Sequence, residues 1–248
     1  MRNNSIDNLR GIAFIFMIIH HIFYLYDVTN NYKTNYSSNI LIETSGNIAR
    51  TLFIFLIGVS LSLTSKDKSI KKRLKRSFTI AMHALFISFV TYMYYPDKFI
   101  KFGVLHFIAL ASLLGYFFID KKNLTLIFMI IFLFKPVQVH NSIIDTITGA
   151  KINFNTIDYF PLFNWFSLVL FGLYVGQVGY IDKILKPNVE LASLNYGSTQ
   201  NILQKLNNIN FLSKNNIFTK IGKNCLNLYT GHLVLLIVIY NVKKNLNK

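Results

Sequence analysis

Apolar runs of near-bilayer length recur along the chain, and they restrict it more than any other feature. In hydrocarbon, backbone N–H and C=O groups find no water, so such segments cross as helices. The runs cover about 9–27, 47–64, 78–95, 103–119, 123–135, 161–180 and 224–242. The expected fold class is all-α, a polytopic transmembrane helical bundle of about seven spans, with 1–248 forming a single domain. The run 123–135 is the shortest, and Lys135-Pro136 closes it as a helix stop.

Composition supports that class. Charged residues make up 15% of the 248, where a soluble protein carries about 25%. The net charge of +16 would suit nucleic acid, but the basic residues sit in short loops between apolar runs. That is the pattern of a membrane topology, so the expected partner is the lipid bilayer and not nucleic acid. With the N-terminus inside, the cytoplasmic side collects 17 of the 26 lysines and arginines against 9 outside. A multi-pass integral protein of the cell membrane with a cytoplasmic N-terminus is expected. Residues 136–160 then lie outside, and the cluster at 66–76 lies inside. That cluster would also attract anionic lipid or the phosphates of a nucleotide cofactor. The first run has no small-residue cleavage site after it and reads as an uncleaved helix. Cys225 is the sole cysteine, which excludes an intrachain disulfide and a cysteine metal site.

Polar residues inside the apolar runs are the candidates for chemistry. In Ile6-Asp7-Asn8-Leu9-Arg10-Gly11 and the apolar stretch after it, the eleven steps from Arg10 to His21 return a helix to within roughly 20° of one face. At about 1.5 Å per residue His21 is roughly 16 Å deeper than Arg10. Ionisable groups at such depth mark pathways or reaction sites. His20 turns to the side of Tyr24 and Asp27, so only one of the two adjacent histidines is expected to face the main cavity, and His21 is the expected one. Arg10 either anchors the helix by snorkelling or binds a ligand, with Asp7 neutralising or orienting it. His83, His106 and His232 add one imidazole each from other spans, whereas His140 falls in an outer loop. No pair has the spacing of a metal motif, and no metal is expected. Arg50, Asp97 and Asp158 fall near outer boundaries, where charge costs little. Gly172-x-x-x-Gly176 reads as a close helix contact.

Several stretches carry a family likeness. Ile-Asp-x-Leu-Arg-Gly-Ile-Ala at 6–13, with ten residues between its arginine and His21, resembles the first helix of membrane-bound acyltransferases. LFIFLIGVSLSL at 52–63, the segment 95–106 ending in His106, and Phe163-Asn164-Trp165-Phe166 to Gly176 resemble later motifs of the heparan-alpha-glucosaminide N-acetyltransferase catalytic-domain family. Ile221-Gly222-Lys223-Asn224 to Tyr229 and His232 resembles its last motif, although Leu233-Val234 stand where a polar-proline pair is usual. Acyltransferase family 3 is more distantly similar.

The resemblance implies transfer of an acyl group, acetyl in that pattern, from cytoplasmic acetyl-CoA or another acyl-CoA to a small-molecule or glycan acceptor. It puts His21 at the characteristic first-helix histidine. Acyl transfer needs a base and donors for the oxyanion, and the residues offer His21 as the base with His106 or His232 as partner or donor. Arg10 is then expected to bind a phosphate of the acyl-CoA or to polarise its thioester, with Asp7 orienting it. One departure is clear. Lysosomal members carry a further histidine shortly after the first helix, and 29–36 holds none. A glucosaminide acceptor and a covalent acetyl-histidine are therefore not carried over. The competing class is a proton-coupled transporter or channel using the intramembrane histidines, which the lack of two similar halves disfavours.

Overall fold

The computed structural model describes residues 3–63, 70–150, 154–179 and 216–246. Arg2, Lys66, Lys68 and the weakly amphipathic stretch 202–211 lie outside them. The described residues form helices α1 (Asn4–Thr29), α2 (Ile40–Leu63), α3 (Ile70–Tyr94), α4 (Val104–Leu114), α5 (Lys122–Ile131), α6 (Ser142–Thr148), α7 (Leu162–Gln177), α8 (Ile217–Lys223) and α9 (Cys225–Leu246).

Four of these, α1, α2, α3 and α9, are long and apolar enough to cross a membrane. The 26 residues of α1 extend about 39 Å. The other three expected spans are helical but shorter: Val104–Phe118, Lys122–Ile131 and Leu162–Gln177. Hydrophobicity marks where a helix lies but not where capping and turns end it. The fold is thus an all-α integral membrane protein with four candidate spanning helices.

α1 is the axis of the molecule. It packs against α2, α8 and α9, while α2 leans on α7, α7 on α5, and α3 on both α4 and α9. Asn3 caps it, its side chain accepting from Ser5 N at 2.9 Å. The contact between α2 and α7 depends on the expected glycine pair. A Cβ on Gly172 would overlap the Phe55 carbonyl, and one on Gly176 the Ser62 hydroxyl. Backbone approach of this kind supplies contact where lipid gives apolar side chains no reason to associate.

At the other end of α1, buried Asp27 organises the turn into α2. It accepts from Thr34 Oγ1 at 2.5 Å, Tyr36 N at 3.1 Å and Ser37 N at 2.7 Å. Nearby, Tyr95 OH lies 2.7 Å from both Thr29 Oγ1 and Asn241 Nδ2, tying together the ends of α1, α3 and α9. A single parallel bridge, Phe102 with Tyr159, joins the segments that precede α4 and α7. Ile157 N donates to Lys98 O at 2.8 Å and Phe160 N to Phe102 O at 3.0 Å. This clasp brings residue 158 to the N-terminus of α4.

Candidate functional site

Two cavities flank α1, one toward each end. The basic cavity, about 620 Å³, is lined by Asp7 and Arg10 of α1, Ser60 of α2, Arg76 of α3, Lys223 of α8 and apolar side chains between them. The histidine cavity, about 430 Å³, is lined by His20, His21 and Tyr24 of α1, Glu43 and Arg50 of α2, and Asp158. Met17, Val104 and Tyr229 line both. These three residues form a shared wall: Met17 stands one helical turn before His21 on α1, and the Tyr229 ring lies 5.9 Å from the His21 ring.

In the basic cavity Asp7 is wholly buried, and its Oδ1 accepts from Arg10 Nη1 at 2.8 Å. Arg10 Nη2 also donates to the Ser60 hydroxyl, which itself donates to Leu56 O at 2.5 Å. A snorkelling arginine would extend toward the headgroups. This one is drawn sideways onto α2, and its fork is oriented at both ends. Beside it, buried Asn8 accepts from Thr219 Oγ1 at 3.0 Å, docking α8 onto α1.

The central feature of the histidine cavity is a pair of imidazoles. His21 Nδ1 lies 2.9 Å from His232 Nε2, with the rings stacked at 5.2 Å. His232 Nδ1 lies 3.0 Å from the Leu228 carbonyl. A carbonyl only accepts, so His232 Nδ1 carries the proton. In the neutral ring Nε2 must then accept, which makes His21 Nδ1 the donor. The tautomer of His21 follows: its Nε2 keeps the lone pair, and no described residue engages that atom. An imidazole held this way is a poised base.

His20 also lines this cavity, contrary to the expectation that only His21 would. Its ring stacks on Tyr24 at 5.5 Å, and its Nδ1 lies 3.2 Å from Ile42 O. Adjacent helical residues differ by about 100°, but the cavity wraps around α1 and meets both. His106 does not reach His21 and lines neither cavity. Gly103 N donates to its Nδ1 at 3.2 Å, and its Nε2 lies 3.4 Å from Ser88 Oγ. It closes the first turn of α4 instead. His83 Nδ1 pairs with Thr230 Oγ1 at 2.9 Å, joining α3 to α9.

Asp158 and Arg50 are the residues that sequence reasoning passed over. Asp158 Oδ2 accepts from Val104 N at 2.9 Å, so the carboxylate caps α4. A Cβ on Gly103 would collide with that oxygen, which is why the residue before α4 is glycine. Burial pushes the Asp158 carboxyl up to about 6, with the Val104 N–H and the Arg50 guanidinium opposing the rise. The spacing of 158 from any other acidic residue gives no sign of this role, because the clasp to 102 creates it. Arg50 had a readable signal. With the start of α2 set at 47 it looks peripheral, but the helix begins at Ile40 and Arg50 lies about 15 Å along it.

Fold and site together define an integral membrane helical protein whose central helix carries polar groups into two cavities that share a wall. The family model described as heparan-alpha-glucosaminide N-acetyltransferase, catalytic, matches residues 2–209, and the chain belongs to that family. Membership implies a membrane acetyltransferase-like activity. The matched region holds both cavities' α1, α2 and Asp158 residues and ends before α8 and α9. No curated protein and no solved structure matches the chain.

Proposed function

We propose that the protein transfers an acyl group, most simply acetyl, from acyl-CoA in the basic cavity to an acceptor in the histidine cavity. The observation that carries this reading is the lone-pair nitrogen of His21, set beside the wall that the two cavities share. The chain then crosses the cell membrane about seven times, α4, α5 and α7 completing the bundle around the four long helices. Its N-terminus is cytoplasmic, so the basic cavity opens toward the compartment that holds acyl-CoA.

Acyl-CoA is a substrate here. Arg10, Arg76 and Lys223 supply the cations its phosphates require, and the apolar lining between them suits the pantetheine arm. Asp7 and Ser60 set the direction of the Arg10 fork. In the histidine cavity a small-molecule or glycan acceptor presents a hydroxyl or amine. Its oxygen or nitrogen attacks the thioester carbonyl carbon while His21 Nε2 takes the proton. The new C–O or C–N bond forms, the C–S bond breaks, and the leaving CoA thiolate takes up the proton His21 received.

His232 orients His21 and disperses its charge in the transition state, the role a carboxylate has in a serine hydrolase. The Tyr229 hydroxyl, on the shared wall, is the donor for the developing oxyanion. His106 contributes by holding the first turn of α4 and hence Val104.

Detergent-purified protein given radiolabelled acetyl-CoA and a panel of sugars and amines should pass label to an acceptor. His21→Ala should abolish transfer while eluting and melting like wild type. Full transfer by that variant would remove the base and with it this reading.

A further inference from the structure

Arg50 is an arginine in the outer part of an apolar helix, yet it does not face lipid. It lines the histidine cavity with His20, His21 and Asp158. Its hydrogen bond among the described residues runs from Nε to Gly46 O at 3.2 Å, within its own helix. The two terminal nitrogens of the fork are thus left to the cavity. The guanidinium is close enough to act electrostatically on His20, His21 and Asp158.

Neither carboxylate of the cavity neutralises it directly. Asp158 Oδ2 is occupied by Val104 N. Glu43 lies seven residues earlier on α2, about 10 Å along the axis and on the same face, at the exposed end of the helix. A cation retained within a membrane helix, facing a cavity and unmatched by a contacting anion, is costly unless a ligand completes it.

We infer that Arg50 is a specificity-determining residue that selects acceptors bearing an oxyanion group, a carboxylate, sulfate or phosphate, near the nucleophile to be acylated. The planar fork binds such a group through two parallel N–H···O bonds. That pairing anchors the acceptor between Arg50 and His21. Arginine serves where lysine would not, because a point charge at this position would fix no orientation.

The inference rests on the acyl-transfer reading for its kinetic assay, and a binding assay separates the two. Glucuronate and glucose differ at one carbon and form a matched pair. Wild-type protein is expected to prefer glucuronate at least about tenfold in kcat/KM. Arg50→Gln should bring that ratio close to one, and Arg50→Lys should fall between. The ratio is insensitive to a partial loss of folded protein.

In parallel, glucuronate without acetyl-CoA should raise the melting temperature of wild type in detergent and leave Arg50→Gln unmoved, while glucose shifts neither. A preference absent from wild type, or unchanged in Arg50→Gln, overturns the inference and leaves acyl transfer standing. If no transfer occurs but the Arg50-dependent melting shift remains, the acyl-transfer reading fails and the oxyanion site stands. Equal shifts by glucuronate in wild type and Arg50→Gln overturn the site.

Discussion

Arg10 tests the basic cavity at the level of one side chain. Its guanidinium reaches the Asp7 carboxylate and the Ser60 hydroxyl at once, which an ammonium cannot reproduce in the same plane. Arg10→Lys should raise the KM for acetyl-CoA by about tenfold or more, with normal membrane insertion. Steady-state kinetics on the purified variant checks this, and an unchanged KM would reduce Arg10 to an anchor. Asp158 makes a second prediction, in pH. Burial lifts its carboxyl to about 6 from an ordinary 3.8, so the folded chain holds this proton more tightly than the unfolded one. The stabilisation is fully present below the unfolded value and is lost as pH rises through the folded one. Relative to Asp158→Asn, wild type should lose up to roughly 3 kcal/mol between about pH 4 and 7. Paired melting curves across that window measure it. A difference independent of pH would contradict the buried environment assigned to Asp158.

At the scale of helices, the interface of α2 with α7 depends on backbone contact. Gly172→Val places two methyl groups against the Phe55 carbonyl, where even one carbon overlaps. The helices must separate, and destabilisation of about 1–3 kcal/mol is expected. Gly231 has open space around its Cβ position inside α9, so Gly231→Ala should cost nothing and stabilise by up to about 1 kcal/mol. Melting temperatures in detergent give both values, and equal losses at the two sites would contradict the packing. A different kind of local control acts where α7 begins. Asn164 sits at φ +71° and ψ −53°, in the rare γ-turn region, and its N–H donates to Phe132 O at 2.7 Å. Proline, with φ held at about −65° and no N–H to give, could supply neither this turn nor the bond to the end of α5.

For the whole molecule, the parts legible in the sequence are those fixed by local periodicity. Each of the seven apolar runs carries a helix among the described residues, α1 does carry Asp7, Arg10 and His21, and the glycine pair of α7 does mark a close approach. Length was less legible, because the apolar runs continue past the points where α4 and α5 stop. The histidine cavity was half legible. His21 and His232 meet, but His106 turns away to close α4, a choice set by its hydrogen bond to Gly103 N and not by its depth. Asp158 enters only through the clasp of 102 with 159, a contact across 57 residues that no helical period encodes.

In the proposed reaction donor and acceptor enter opposite ends of α1 and meet beside His21. Proteoliposomes test it directly. The protein is reconstituted in one orientation, with labelling of Lys72→Cys in a Cys225→Ser background reporting which face is outward. Acetyl-CoA is sealed on the face bearing position 72 and a competent acceptor on the other. The account predicts acylated product in the acceptor compartment alone, absent with His21→Ala and absent when both substrates share the acceptor's side. Product formed equally well with both substrates on that side would contradict it.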